Sequence, residues 1–123
     1  MPNLNRITDR IIGCAIEAHR NLGPGLLESV YEKALCFELQ QGGLSFSSQV
    51  AVPILYKGQS LGEHRLDLLV ENRVIVELKA VDRLDQVFHA QVLSYLKLTG
   101  KKLGLLINFN VPVLKDGIKR IML

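Results

Sequence analysis

Apolar residues recur at Leu4, Ile7, Ile11, Ala15, Ala18 and Leu22, a spacing of three or four that places them on one face of a helix. The run stops at Asn21-Leu22-Gly23-Pro24-Gly25, where glycine and proline cannot extend it. A second helical period starts near Leu26 or Leu27 and passes through Val30, Tyr31, Ala34, Leu35 and Leu39 until Gly42 and Gly43 end it. The period then changes to two. Gln49–Gly58, His64–Val70 and Arg73–Ala80 read as strands, separated by the turn-rich Gly58–Glu63 and by Glu71, Asn72 and Arg73. Pro53 puts the first strand at a sheet edge or bulge. Asp85–Leu98 returns to helical spacing and ends at Gly100, and two further strands, Leu103–Phe109 and Ile118–Leu123, flank a turn region at Val111–Gly117. The order α, α, β, β, β, α, β, β predicts an α/β domain in which helices pack on a mixed sheet.

The stretch RLDLLVENRVIVELKAV, Arg65 to Val81, breaks this pattern chemically: it is nearly all aliphatic, yet it holds Asp67, Glu77 and Lys79. With Glu71, Asn72 and Arg73 as the turn, Val70 faces Val74, Asp67 lies opposite Glu77 on one face, and Lys79 falls beside Glu77. A two-residue turn would shift the register by one and separate the two acids. Like charges directly opposed destabilise an antiparallel pair by about 0.2–1 kcal/mol, and by more among aliphatic neighbours. Lys79 offsets part of that charge, and a divalent cation can offset the rest, since Mg²⁺ takes one or two carboxylates and completes its octahedron with phosphate oxygens and water. A solvated strand face with an incidental salt bridge is the competing reading, and these residues alone leave both open.

On the following helix, Leu84, Phe88, Gln91, Tyr95 and Leu98 recur at helical spacing, so Gln91 is expected on the core-facing stripe. A buried amide needs partners. It is either a core glutamine satisfied by backbone carbonyls or, with Tyr95 one turn later, the wall of a polar site.

Bulk properties narrow the setting. A chain of 123 residues suits a single domain, residues 1–123, with one real core. With 48% hydrophobic residues and a mean hydropathy of +0.20, some apolar surface is expected to be covered by a second copy, in a homodimer. The net charge of +3 fits a phosphate-rich partner but is too small to select one. Cys14 and Cys36 match no metal spacing and are expected as buried reduced thiols. The apolar run Ile11–Ile16 is short and bracketed by Arg10 and Glu17, which excludes a membrane span and a signal peptide and predicts a soluble, cytoplasmic protein. No glycine-rich phosphate loop, Ser-His-Asp order or cofactor fingerprint is present.

An Asp, then Glu77-Leu78-Lys79 ten residues on, then Gln91-Val92-Leu93-Ser94-Tyr95 on the next helix, resembles the PD-(D/E)xK nuclease superfamily, in its RecB and lambda exonuclease branch. Gly25, Glu28 and Tyr31 in GPGLLESVY resemble the signature of the small GxxExxY proteins assigned to it, and the likeness spans almost the whole chain. Leu66 stands where the superfamily's name has proline. The resemblance implies a restriction-endonuclease-like αβββαβ core binding Mg²⁺ or Mn²⁺. Asp67 and Glu77 would be metal ligands, the Leu78 carbonyl a third, and Glu28 would complete the set directly or through water. Lys79 would orient the attacking water, and Gln91 and Tyr95 would support the phosphate or the ligands. Glu28 also suits the first turn of a helix without any metal, Tyr31 reads as a packing residue, and His64 and His89 are given no role. The implied substrate is nucleic acid, DNA ahead of RNA, and the implied reaction phosphodiester hydrolysis. A catalytically silent nucleic-acid-binding or scaffold protein of the same fold is the alternative. A phosphohydrolase for small substrates would need an enclosed pocket.

Overall fold

The computed structural model describes residues 3–123. Helices α1 (Leu4–Leu22) and α2 (Glu28–Gln41) precede strands β1 (Phe46–Tyr56), β2 (Gln59–Val70) and β3 (Val74–Lys79). Helix α3 (Gln86–Thr99), β4 (Leu103–Asn108), a 3₁₀ turn at Leu114–Gly117 and β5 (Ile118–Met122) follow. The five strands form one sheet in sequence order. Every neighbouring pair is antiparallel except β3 and β4, which run parallel and are bridged by α3. This is the mixed α/β architecture flanked by helices that the periodicity and the resemblance imply. No described helix is long and apolar enough to cross a membrane.

Both faces of the sheet are covered, and the two cores differ in what they hold. On one face Leu68, Val70, Val74, Val76, Leu78 and Leu105 pack with Ile7, Ile11 and Ala15 of α1 and with Tyr31, Leu35 and Leu39 of α2. On the other, Leu66, Ile75, Leu106 and Ile121 pack with Val92, Tyr95 and Leu96 of α3. A fully buried aliphatic side chain contributes roughly 1.5–3 kcal/mol relative to exposure, so these clusters dominate the stability. Strands β3 and β4 are buried along almost their whole length, which is why they read as apolar runs instead of an alternation: a parallel pair is covered on both sides. Cys14 and Cys36 are free but only partly buried, short of the full burial expected, and desolvation pushes both thiols up.

The connection from α1 to α2 is held by one side chain. Gly25 takes a φ of 99°, a backbone conformation that disfavours a side chain. Tyr31, fully buried, donates its hydroxyl to the Gly23 carbonyl at 2.5 Å, accepts the Leu26 N–H at 3.1 Å and stacks on Phe109 with centroids 4.5 Å apart. The clamp fixes the first turn of α2, which begins at Glu28. Tyr31 is thus the packing residue expected.

Two expectations are corrected. The first hairpin turns earlier than Gly58–Glu63: Tyr56 already pairs with Gln59, and the turn is Lys57-Gly58, with φ of 50° and 79°. Both central residues of a two-residue hairpin turn take positive φ, and a lysine there gives no composition signal. The core stripe of α3 is also displaced. The helix buries Val92, Tyr95 and Leu96, whereas Leu98 is exposed and Gln91 only half-buried at the edge of the interface. Apolar residues on both sides of α3 make the period ambiguous, and the sheet selects the other row. The three-residue turn at Glu71, Asn72 and Arg73 is as expected, with Val70 paired to Val74.

Helix α3 rests on β4 at Gly104, where an added Cβ would lie 2.7 Å from Val92 Cγ1 and 3.5 Å from the Ile75 carbonyl oxygen. Valine is stiff about χ1 and cannot swing aside cheaply. Gly104→Ala is expected to destabilise the fold by about 1–3 kcal/mol, measured by urea unfolding. An unchanged midpoint would mean that the helix lies looser on the sheet than its contacts indicate.

Candidate active site

The β2–β3 ladder pairs Val70 with Val74, Leu69 with Ile75 and Leu68 with Val76, and there the backbone pairing stops. The next step in that register is Asp67 against Glu77, the two acids in question. Their side chains take over from the backbone. Glu77 Oε2 accepts the Asp67 N–H at 2.8 Å, and Asp67 Oδ2 accepts the Leu78 N–H at 2.8 Å. Each carboxylate thus reaches across the gap to an amide of the opposite strand, and two backbone donors are satisfied without a direct ladder bond.

These bonds favour the charged carboxylates, but burial and mutual repulsion oppose them. Glu77 is buried, and desolvation, followed by the Asp67 charge, pushes its pKa up to about 8. Desolvation raises Asp67 too, against the Leu78 N–H and the Lys79 charge, which pull it down. At neutral pH and without a cation, the fold favours Glu77 with its proton on.

Lys79, two residues after Glu77 on β3, does not close on either acid: its Nζ lies over the Phe88 ring, 4.6 Å from the centroid, and among the described residues no ion pair within 4.0 Å joins it to them. Its charge still lowers both carboxyls from that distance. The Leu78 carbonyl leaves the strand on the side of its N–H, toward Asp67, because both groups of a strand residue point the same way. The neighbouring Lys79 carbonyl points to the other side and accepts the Phe109 N–H at 2.8 Å. Glu28, in the first turn of α2, accepts the Ala80 N–H through Oε2 at 3.2 Å and raises Asp67 by its charge. It stands behind the acid pair at the exit of β3.

Tyr95 is brought within electrostatic reach of the acids. Burial raises its hydroxyl, and the charges of Glu77 and then Asp67 raise it further. Gln91 lines a groove of about 520 Å³ between α3 and the β1–β2 hairpin, together with Tyr95, His64, Ile54, Val87 and Leu98. The His64 and Tyr95 rings lie 5.4 Å apart there. Gln91 is therefore not the core amide that the helical spacing allowed; half-buried at the edge, it needs no buried partner.

Three residues that the sequence analysis passed over also belong here. Asn108, buried at the end of β4, accepts the Val81 N–H at 3.0 Å and donates to the Val81 carbonyl at 2.9 Å, anchoring the chain just past Lys79. Glu32, one turn after Glu28 on α2, is raised by burial and by the Asp67 charge. Gln49 on β1 donates Nε2 to both Glu32 oxygens, at 3.0 and 3.2 Å. The spacing of four from Glu28 was a usable signal for Glu32; Gln49 had none.

The donor set suits a hard cation that brings its own water. Among the described residues no three His, Cys, Asp or Glu side chains group closely enough to enclose a metal. Two carboxylates that each commit one oxygen to an amide, with a carbonyl on the same side, match a hard divalent cation in an open shell better than a closed structural site.

A model of the PD-(D/E)XK nuclease superfamily matches residues 5–121 of the chain. No curated protein and no solved structure matches it.

The shift on Glu77 predicts a pH dependence. Its folded pKa lies above the ordinary value of 4.5, so its contribution to stability is fully present below about pH 4.5 and is lost as the pH rises through about 8. Each unit of that difference is worth about 1.4 kcal/mol. Glu77→Gln, always neutral and still able to accept the Asp67 N–H, should lack this loss. Melting of the two metal-free proteins from about pH 5 to 9 should therefore show the variant overtaking the parent on the alkaline side. Parallel curves would mean that Glu77 ionises at no cost.

Proposed function

The chain belongs to the PD-(D/E)XK nuclease superfamily, and from that membership we propose that it is a Mg²⁺- or Mn²⁺-dependent nuclease hydrolysing phosphodiester bonds, with DNA ahead of RNA as substrate. One observation carries the reading: at the end of the β2–β3 ladder, the buried Glu77 carboxyl, the half-buried Asp67 carboxyl and a backbone carbonyl turn toward one gap, and among the described residues no cationic side chain pairs them directly. Replacing a ladder pair by crossed carboxylates among aliphatic residues has no packing advantage. It makes sense where the charge is to be used.

In this reading Asp67, Glu77 and the Leu78 carbonyl hold the metal, with Glu28 behind them and acting through water, since its Oε2 is engaged by the Ala80 N–H. A divalent cation at this place supplies a Lewis acid for the scissile phosphate and a lowered pKa for the attacking water. Lys79 orients that water and stabilises charge on the phosphate; its rest position over Phe88 keeps it beside the acids without neutralising them. Tyr95 and Gln91 line the approach along the groove and bind the substrate backbone next to the reacting phosphate. Gly25, Glu28 and Tyr31 support placing the chain among the GxxExxY proteins of the RecB-like branch, because each does separate work: the turn, the acid at the site, and the clamp that aims it.

The substitution that tests this is Asp67→Asn. Asparagine can still accept the Leu78 N–H, and it removes a partly desolvated charge that also makes Glu77 harder to ionise, so the metal-free variant should melt as high as the parent or higher. At roughly ten times its dissociation constant a metal stabilises the parent by about 1.4 kcal/mol, and the variant should gain much less. Cleavage of single-stranded, duplex and branched DNA or RNA should be seen only with the parent. Absence of cleavage of every substrate with either metal would leave a silent nucleic-acid-binding protein of the same fold.

A homodimer is the assembly that fits the surface. The groove carries exposed Val87 and Leu98 on one wall, and the hairpin beyond it exposes Leu55, Tyr56 and Leu61. Light scattering at high micromolar concentration should give twice the chain mass; a monomer there would remove this part of the proposal.

A further inference from the structure

Gln49 departs from strand geometry in two ways. Its φ is 52°, in the left-handed region where a residue other than glycine is strained. It is also skipped in the β1–β2 pairing, where Ser48 faces Leu68 and Val50 faces Leu66. The residue across from that gap is Asp67. Side-chain alternation slips at the same place, since Leu66 packs in the core under α3 and Leu68 in the core under α1 and α2.

Strain of this kind persists only where the surroundings impose it, and here they are identifiable. Arg65 Nη1 donates to the Gln49 carbonyl at 3.3 Å, and the Gln49 amide reaches α2, donating to both oxygens of Glu32. The same amide helps to hold the Asp67 carboxyl down, whereas Glu32 and Asp67 repel one another. A neutral donor therefore stands between two acids on different elements, and a regular strand would have turned it elsewhere.

We propose that Gln49 is a positioning residue: the break in β1 exists to wedge its amide between Glu32 and Asp67, fixing the Asp67 side chain in the orientation that bonds the Leu78 N–H and faces the metal. The second half of this rests on the metal-dependent reading given above; the first does not. The rival role is a plain tether of β1 to α2.

Gln49→Gly and Gln49→Ala separate the two roles, because both remove the amide while only glycine accepts the left-handed backbone without strain. Three readouts apply: metal-free melting, hydrogen exchange of the Leu78 amide by NMR, and Mn²⁺ affinity by calorimetry. Gln49→Gly is expected to melt no lower than the parent, and Gln49→Ala lower than Gln49→Gly. In both variants the Leu78 amide should exchange several-fold faster, and Mn²⁺ should bind about 10- to 100-fold more weakly, the usual loss when a residue supporting a metal ligand is removed. Leu78 exchange at the parental rate in both variants would overturn the proposal, as would a lowered melting temperature of Gln49→Gly with parental Mn²⁺ affinity. A parent that binds no Mn²⁺, but whose Leu78 exchange still responds to Gln49→Gly, would sink the nuclease reading and leave the positioning of Asp67 standing.

Discussion

Everything near the site depends on the crossed pair in which Glu77 accepts the Asp67 N–H and Asp67 accepts the Leu78 N–H. An unpaired backbone amide in a buried sheet costs about 1–3 kcal/mol, so strands that separate must find other acceptors. Carboxylates fill that need and bring charge with them. The sheet can then open a gap at the centre of the molecule without losing its hydrogen bonding, and the gap is lined with oxygen. That role in the backbone makes the acids hard to replace by apolar residues: an aliphatic pair would pack but leave two donors unsatisfied.

The rest of the fold presses on this opening from three sides. Helix α2 delivers Glu28 and Glu32 from one face, and its start is set by the Tyr31 clamp on the preceding loop. Helix α3 brings Tyr95 from the other and lines the adjoining groove with Gln91, its height fixed where it meets β4 at Gly104. Asn108 pins the chain leaving β3. None of these contributions is local in sequence to the acid pair, so the site is a product of tertiary packing laid over one hairpin.

What could be read from the chain follows that division. The register of Asp67 against Glu77 was legible because a three-residue turn and a period of two fix it locally, and the structure keeps that register up to the last backbone pair. The crossing of the side chains was not legible, since it depends on the strands separating. Helix α3 was correctly placed but its buried row was not, because apolar residues on two sides of a helix leave the sheet to choose. Lys57 and Gln49 take positive φ for reasons of pairing and contact, and nothing in the residue type announces it. Glu32 falls between the cases: its spacing from Glu28 was visible, its target was not.

The sheet has two open edges, and both are poor templates. On β1, Pro53 brings no N–H, and the pairing shifts between Pro53 and Leu55, so the edge is bent where it is longest. On β5 the strand has five residues, with Lys119 and Arg120 exposed. A chain with this much apolar sequence would otherwise be open to strand-by-strand aggregation. With its edges blunted in this way, association is directed to the faces of the molecule, and runaway growth of the sheet is disfavoured even while hydrophobic surface stays exposed.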